Sequence, residues 1–422
     1  MIKNKFVLLF LINLLILFYS LDALNTSNAI GSNTVYALGS EEQYTTAGGG
    51  TYDVWGMVDY QYGLHVDPTC TVNLGLACPI RNGSIRLDSG AQIGLLSDLH
   101  IGSSVDLQIG AAAGSTVYIK GNGNSIICHG NLTIPANRKI RLLNDITIDM
   151  QGNELYLEDA AQLIIIGSNN FMIKNAVVKN LKGGAAYING GGIATQSNTS
   201  KISLDDVILD LSDTYSFDYG SLYIYNDVRV RGENKMFAFA TYWKHPNLYP
   251  YFQGVMQIAP NSTFMMDVGT IFKYHQPCEY LWLGSLWIMD LSQKKLVMAD
   301  RSSRLFFNNC RVQIPVDTIQ LYLSYPAAGN EWPALGVLKD VGGIVLTKGT
   351  VIFNNRVILE CLKNDGSIPD TWTFSLFPFP NVPYYPVIQW GDGSDPRNDI
   401  DMEILSGCKI ETYGRIYGCN TD

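Results

Sequence analysis

Residues 121–153 read GNGNSIICHGNLTIPANRKIRLLNDITIDMQGN, and their pattern decides the fold. Asn131-Leu-Thr-Ile134 and Lys139-Ile-Arg-Leu-Leu143 alternate polar and apolar residues with period 2, the mark of a strand with one buried face. Gly, Asn and Ser turns interrupt these strands after only a few residues. Outward from this stretch the pattern recurs. Gly90, Gly121, Gly152 and Gly183 stand 31 residues apart. Leu95, Ile126, Leu157 and Ile188 follow in the same frame, as do Ile109, Ile140, Phe171 and Ile202. Such register over four units predicts a solenoid, whose units bury their apolar faces only by stacking on their neighbours.

Several short strands per unit exclude the helical repeat classes, and leucine-rich repeats are shorter with a different leucine pattern. No long stretch has helical periodicity. The expected fold is therefore all-β, a parallel β-helix in which each strand pairs with its counterpart one coil later at ~4.8 Å. A polar column accompanies the apolar ones: Asn144, Asn175 and Asp206, returning later as Asn308 and Asn355. These residues share the parity of the buried positions. They are expected to point inward at a bend and to form a structural ladder of hydrogen-bonded side chains.

The chain has 422 residues and a net charge of −9. It opens with a basic start, an apolar run from Phe6 to Tyr19 broken only by Asn13, and a small residue at Ala23. Residues 1–23 are read as a secretory signal peptide, the run being short for a transmembrane helix of ~20 residues. Its removal leaves 27 basic and 37 acidic residues, a net charge of −10, and no transmembrane segment is expected in the mature chain. An acidic chain without a Lys/Arg cluster argues against a nucleic-acid partner. Residues 24–50 read as a flexible linker, 51–83 as an N-terminal cap, 84–360 as the parallel β-helix and 361–422 as a C-terminal coil and cap. Of the eight cysteines, Cys70 with Cys78 and Cys408 with Cys419 bracket short segments and are candidate disulfides in an oxidising compartment. Cys128, Cys310 and Cys361 sit in apolar strands and read as small core residues.

The Gly-Asn pairs beginning at Gly121, Gly123, Gly130 and Gly152, the Asn column and the signal peptide resemble the pectin-lyase-like superfamily. This is the single-stranded right-handed parallel β-helix class, and the likeness extends to uncharacterised secreted β-helix proteins of bacteria. It spans roughly residues 84–359 and implies the right-handed coil. It is a likeness of architecture and not of a catalytic signature, and fold alone does not give function. Pectin-cleaving hydrolases carry Asn-Thr-Asp, Asp-Asp, Gly-His-Gly and Arg-Ile-Lys in that order. Here Asn420-Thr-Asp422 ends the sequence, and Asp205 and Asp206 are adjacent on a strand. Cys128-His-Gly130 precedes them and Arg-Ile-Lys is missing, so no catalytic residue is assigned.

Two segments carry binding chemistry. Tyr242, Trp243, Tyr249 and Tyr251 lie in a Pro- and aromatic-rich insertion suited to stacking on sugar rings or anchoring a protein. Asp392, Asp395, Asp399 and Asp401 offer the oxygen ligands that a calcium ion prefers, without the spacing of a known calcium loop. Neither a phosphate loop nor a dinucleotide fingerprint is present, and no cofactor is implied. The expectation is an exported, non-enzymatic β-solenoid with a structural or adhesive role at the cell envelope or outside the cell. Its partner would be a surface glycan or an envelope protein. The alternative is a divergent polysaccharide lyase or glycoside hydrolase.

Overall fold

A computed structural model describes residues 29–37, 41–45, 50–75, 78–184, 192–197, 199–217, 220–239, 255–274, 279–283, 286–290, 296–321, 337–341, 344–346, 348–363, 373–375, 388–390, 400–413 and 415–417. The described residues are all-β and contain no helix. Two compact units divide the chain: Met1–Asn180 with Tyr187–Ser200, and Leu181–Ala186 with Lys201–Asp422.

In the first unit, strands pair in parallel with strands one pass later. An eight-stranded sheet runs from Ala29–Ala37 through Thr51–Asp59, Thr71–Leu74, Gln92–Leu95, Thr116–Lys120, Lys139–Leu143 and Gln162–Ile165 to Gly192–Thr195. A four-stranded sheet holds Glu42–Tyr44, Gly63–Val66, Ser84–Leu87 and Asp106–Ile109. The chain also passes through Leu99–Ile101, Ser125–Cys128 and Ile146–Asp149, which pair in parallel in that order. Leu132–Ile134 pairs likewise with Glu154–Leu157. Inward side chains stack in register: Val117 on Ile140 on Leu163 on Ile193, and Leu99 on Ile126 on Ile148 on Ile173. All eight are buried, and each contributes about 1.5–3 kcal/mol relative to exposure. Period-2 alternation is what lets one face stack dry while the other stays polar.

The second unit uses the same ladder with larger side chains. Val228 stacks on Phe264, Leu305 and Val351, and Val230 on Met266, Phe307 and Phe353. Phe217, Phe239 and Tyr274 stack with ring centroids 6.2 and 5.7 Å apart, within the range of favourable aromatic pairs. One strand, Ser221–Arg231, pairs with Met256–Ile258 through its first half and with Thr263–Met266 through its second. This double pairing bends the sheet, which is curled like a half-barrel. Among the described residues two pairs are antiparallel, Glu279–Leu283 with Leu286–Asp290 and Arg311–Leu321 with Val337–Val341.

Three sequence expectations change. The spacing between stacked residues is not a constant 31. Tyr118 and Arg141, partners across the ladder, are 23 residues apart, and in the second unit Asn308 and Asn354 are 46 apart. The four glycines in the 31-residue frame occupy unlike places. Gly90, Gly152 and Gly183 have positive φ, whereas Gly121 is buried with its Cα against the carbonyl of Asp145, where a Cβ would lie 2.3 Å from that oxygen. Strands also begin earlier than the alternation at Ser84: residues 29–37 and 42–44, within the segment read as linker, belong to the ladders. Thr51–Asp59, read as cap, lies between Ala29–Ala37 and Thr71–Leu74 in the eight-stranded sheet.

The polar column is the third change. Asn144, Asp206 and Asn355 are exposed and Asn175 is half-buried, so none points into the core. Asn144, Asn175, Asp206 and Asn355 have φ of 57°, 48°, 53° and 57°. A left-handed residue interrupts the pleat and turns one strand into the next, which cancels the parity argument. Asn and Asp tolerate this conformation better than other residues with a side chain. Asn308 differs: it ends the Arg304–Asn308 strand and its neighbour Asn309 makes the bend at φ 47°. Hydrogen bonds still run from pass to pass. Asn144 donates to Asn122 Oδ1 (2.9 Å) and Asn175 to Asp149 Oδ1 (3.0 Å). Asn308 donates to Asp267 Oδ1 (2.8 Å) and accepts from Asn354 (3.1 Å) and Asn355 (2.8 Å).

Two outcomes follow for stability. Urea unfolding should rank Gly121→Ala as most damaging, at about 3 kcal/mol from backbone overpacking. Gly123→Ala, with φ +82° and open space around it, should cost about 1 kcal/mol, and Gly123→Asn less. Asn308→Ala removes one donor and one shared acceptor and should cost about 1–2 kcal/mol by the same measurement.

Candidate functional site

The outward face of the four-stranded sheet gathers the densest set of titratable side chains whose geometry is described. Tyr44, Leu64, Val66, Ile85, Leu87, Leu107 and Ile109 point inward and are buried. By alternation Gln43, His65, Arg86 and Gln108 point outward, and register places them side by side in one row. Asp67 and Asp88 come directly after the second and third strands. Their amides continue the ladder, Asp67 N to Tyr44 O and Asp88 N to Val66 O, each 3.0 Å. The backbone thus sets the two carboxylates on consecutive passes at the same end of the sheet.

Both carboxylates converge on one imidazole. His65 Nε2 lies 3.2 Å from Asp88 Oδ2 and 3.7 Å from Asp67 Oδ1. One ligand atom from each of the three residues falls within 4.8 Å of the other two. The side chains of His65 and Asp67 are 17% and 22% exposed, so the cluster is shielded but reachable. Gln43 Nε2 donates to Asp67 Oδ1 at 3.0 Å and fixes that carboxylate. Arg86, the nearest cation in the row, pairs instead with Glu41 at 3.2 Å. Behind the cluster, Cys70 is buried, and desolvation together with the Asp67 carboxylate pushes its thiol up from the usual range.

Other polar groups are arranged for different reasons. His100 Nδ1 and His129 Nε2 lie 3.0 Å apart on an exposed face, their rings stacked at 5.3 Å and 10°. Tyr44 and Tyr60 share a 2.6 Å hydroxyl hydrogen bond in the interior, where burial raises both phenols far above their ordinary value. Glu360 is buried and accepts from Arg311 (2.5 Å) and Gln313 (3.0 Å), which satisfies its charge locally. Tyr118 lies under the Arg141 guanidinium at 5.7 Å.

The residues expected to bind from sequence are mostly outside the described residues. Tyr242, Trp243, Tyr249 and Tyr251 all fall there, as do Asp392, Asp395, Asp399 and Cys419. Asp401 is described: it is exposed in the Ile400–Ile404 strand, beside Thr350. Cys70 and Cys78 are both buried, and the structure does not join them, Cys70 being a free thiol. Cys408 likewise carries a free thiol. The His65 cluster lies outside the 31-residue frame that begins at Gly90. Its signal is a different one: Gly63-Leu-His-Val-Asp67 and Ser84-Ile-Arg-Leu-Asp88 share apolar–polar–apolar–Asp, and the register pairs them residue by residue.

No family model matches the sequence, and neither the curated proteins nor the solved structures give a significant match.

Thiol chemistry offers a direct check of the buried faces. Burial pushes the Cys128 and Cys310 thiols up to about 12. An alkylating reagent at mildly alkaline pH should leave both unmodified in the folded chain and reach them in concentrated urea, as read by peptide mass.

Proposed function

We propose that the chain is an exported right-handed parallel β-helix of pectin-lyase-like architecture, with a structural or adhesive role at the cell envelope or outside the cell. The observation that carries this reading is the parallel, in-register ladder within each unit. Apolar columns fill its inside, and left-handed Asn residues turn many of its corners. Strands stacked this way present flat outward rows of side chains at a regular ~4.8 Å spacing. The Gln43–His65–Arg86–Gln108 row is one of them. Regular rows of polar and aromatic groups suit repeated contacts with an extended partner, and a surface glycan is the partner class that fits.

No described helix is long and apolar enough to cross a membrane. The sequence around Trp243 is rich in aromatic side chains of the kind that stack on sugar rings. A screen of the purified chain against soluble and cell-surface polysaccharides, reading binding and product release together, tests the proposal. Binding without cleavage is expected. Trp243→Ala or Tyr251→Ala should weaken it by about 2 kcal/mol, roughly thirtyfold in Kd. Release of shortened or unsaturated sugars would overturn the non-enzymatic reading in favour of a lyase or hydrolase.

A further inference from the structure

We propose that His65, Asp67 and Asp88 hold a divalent transition-metal cation of the zinc class. The first support is geometric. Ligand atoms bound to one ion at about 2.0–2.2 Å stand about 3.0–3.5 Å from each other in tetrahedral or octahedral arrangement. Of the His65 Nε2 distances to the two carboxylates, 3.2 Å falls within that spacing and 3.7 Å lies just beyond it. An ion placed between the three atoms needs only side-chain adjustment, because the backbone of both passes is fixed by ladder hydrogen bonds.

Charge gives the second support. An imidazole Nε2 offers a single proton or a single lone pair, so it can serve one carboxylate at a time. Two carboxylates nevertheless face it, on consecutive passes and at partly shielded positions. Their mutual repulsion is not relieved by Arg86, whose guanidinium is engaged with Glu41. A dication binding all three residues removes the repulsion and uses every ligand atom. The Gln43 amide on Asp67 acts as the outer hydrogen bond that orients a ligating carboxylate.

The donor set determines the class of ion. Calcium and magnesium take oxygen ligands almost exclusively, whereas one imidazole with two carboxylates suits zinc, manganese or cobalt. Three protein ligands leave at least one position for water or for an oxygen of a bound partner. The ion would therefore tie two consecutive passes together and remain open to exchange. His65 and Gln43 also belong to the outward row offered to a glycan, but the metal site rests on three convergent ligand atoms and is read by metal binding alone, so either proposal can fail without the other.

The test uses the full chain, freed of metal with a chelator and titrated with Zn²⁺ by calorimetry, and with Co²⁺ by visible absorption. One equivalent of Zn²⁺ should bind and raise the thermal midpoint, and Co²⁺ should give ligand-field bands. His65→Ala and Asp88→Asn should each weaken Zn²⁺ binding roughly tenfold or more while circular dichroism stays that of the parent. His129→Ala should leave binding unchanged, which separates this site from the stacked His100–His129 pair. Failure of the folded parent to bind saturably, or loss of binding in His129→Ala but not in His65→Ala, overturns the proposal.

Discussion

Parallel in-register stacking is the constraint on which the rest of this structure depends. A parallel strand satisfies its amides only through neighbours on both sides, so each pass must repeat the strand positions of the one before. Side chains at paired positions then lie directly above one another. An aliphatic column such as Val117–Ile140–Leu163–Ile193 is the outcome, and so is the aromatic series Phe217–Phe239–Tyr274. A polar residue in such a column would face apolar neighbours above and below, which explains why the buried rows are so uniform.

The corners obey a second constraint, set by backbone conformation. To turn from one strand to the next without a long loop, the chain spends one or two residues in the left-handed region. Asn234, Gly269, Asn309, Asn355 and Gly407 all do so. Backbone hydrogen bonds link several of them, Asn234 N to Gly269 O (2.8 Å) and Gly269 N to Asn309 O (2.9 Å). Asn and Gly share this series because both accept positive φ. Asn adds a side chain that can bond the adjacent pass, as Asn180 does to Leu157 O and Asn153 to Cys128 O. The abundance of Asn and Gly in the sequence therefore has a mechanical cause.

The strands and their inward faces were legible in the sequence because period 2 is a local signal. Ile140 and Leu142 were marked as buried by their own neighbours, and they are. Register was not legible, because it is a long-range choice. With apolar residues on every second position and Gly or Asn at every corner, several offsets give plausible alignments, and 31 was one that matched by composition. Asn144 and Asp206 were misread for the same reason that they matter. A left-handed residue breaks the alternation on which the inward assignment relied. The His65 cluster shows in the sequence only as a short apolar–polar–apolar–Asp pattern repeated 21 residues later, and what brings its members together is the register of two passes.

The lengthening of the passes along the chain has a consequence for how each unit closes from an extended chain. Tyr118 and Arg141 close a loop with a sequence separation of 23, and Asn308 and Asn354 one of 46. Each doubling of a flexible loop adds about 0.6 kcal/mol of closure entropy, so the difference at any one rung is modest. Repeated over successive rungs it accumulates, and the contact order of the second unit is higher than that of the first. Folding speed falls as contact order rises. The first unit is consequently the faster-closing half of the chain, and the larger aromatic columns of the second offset an entropy that the first does not lose.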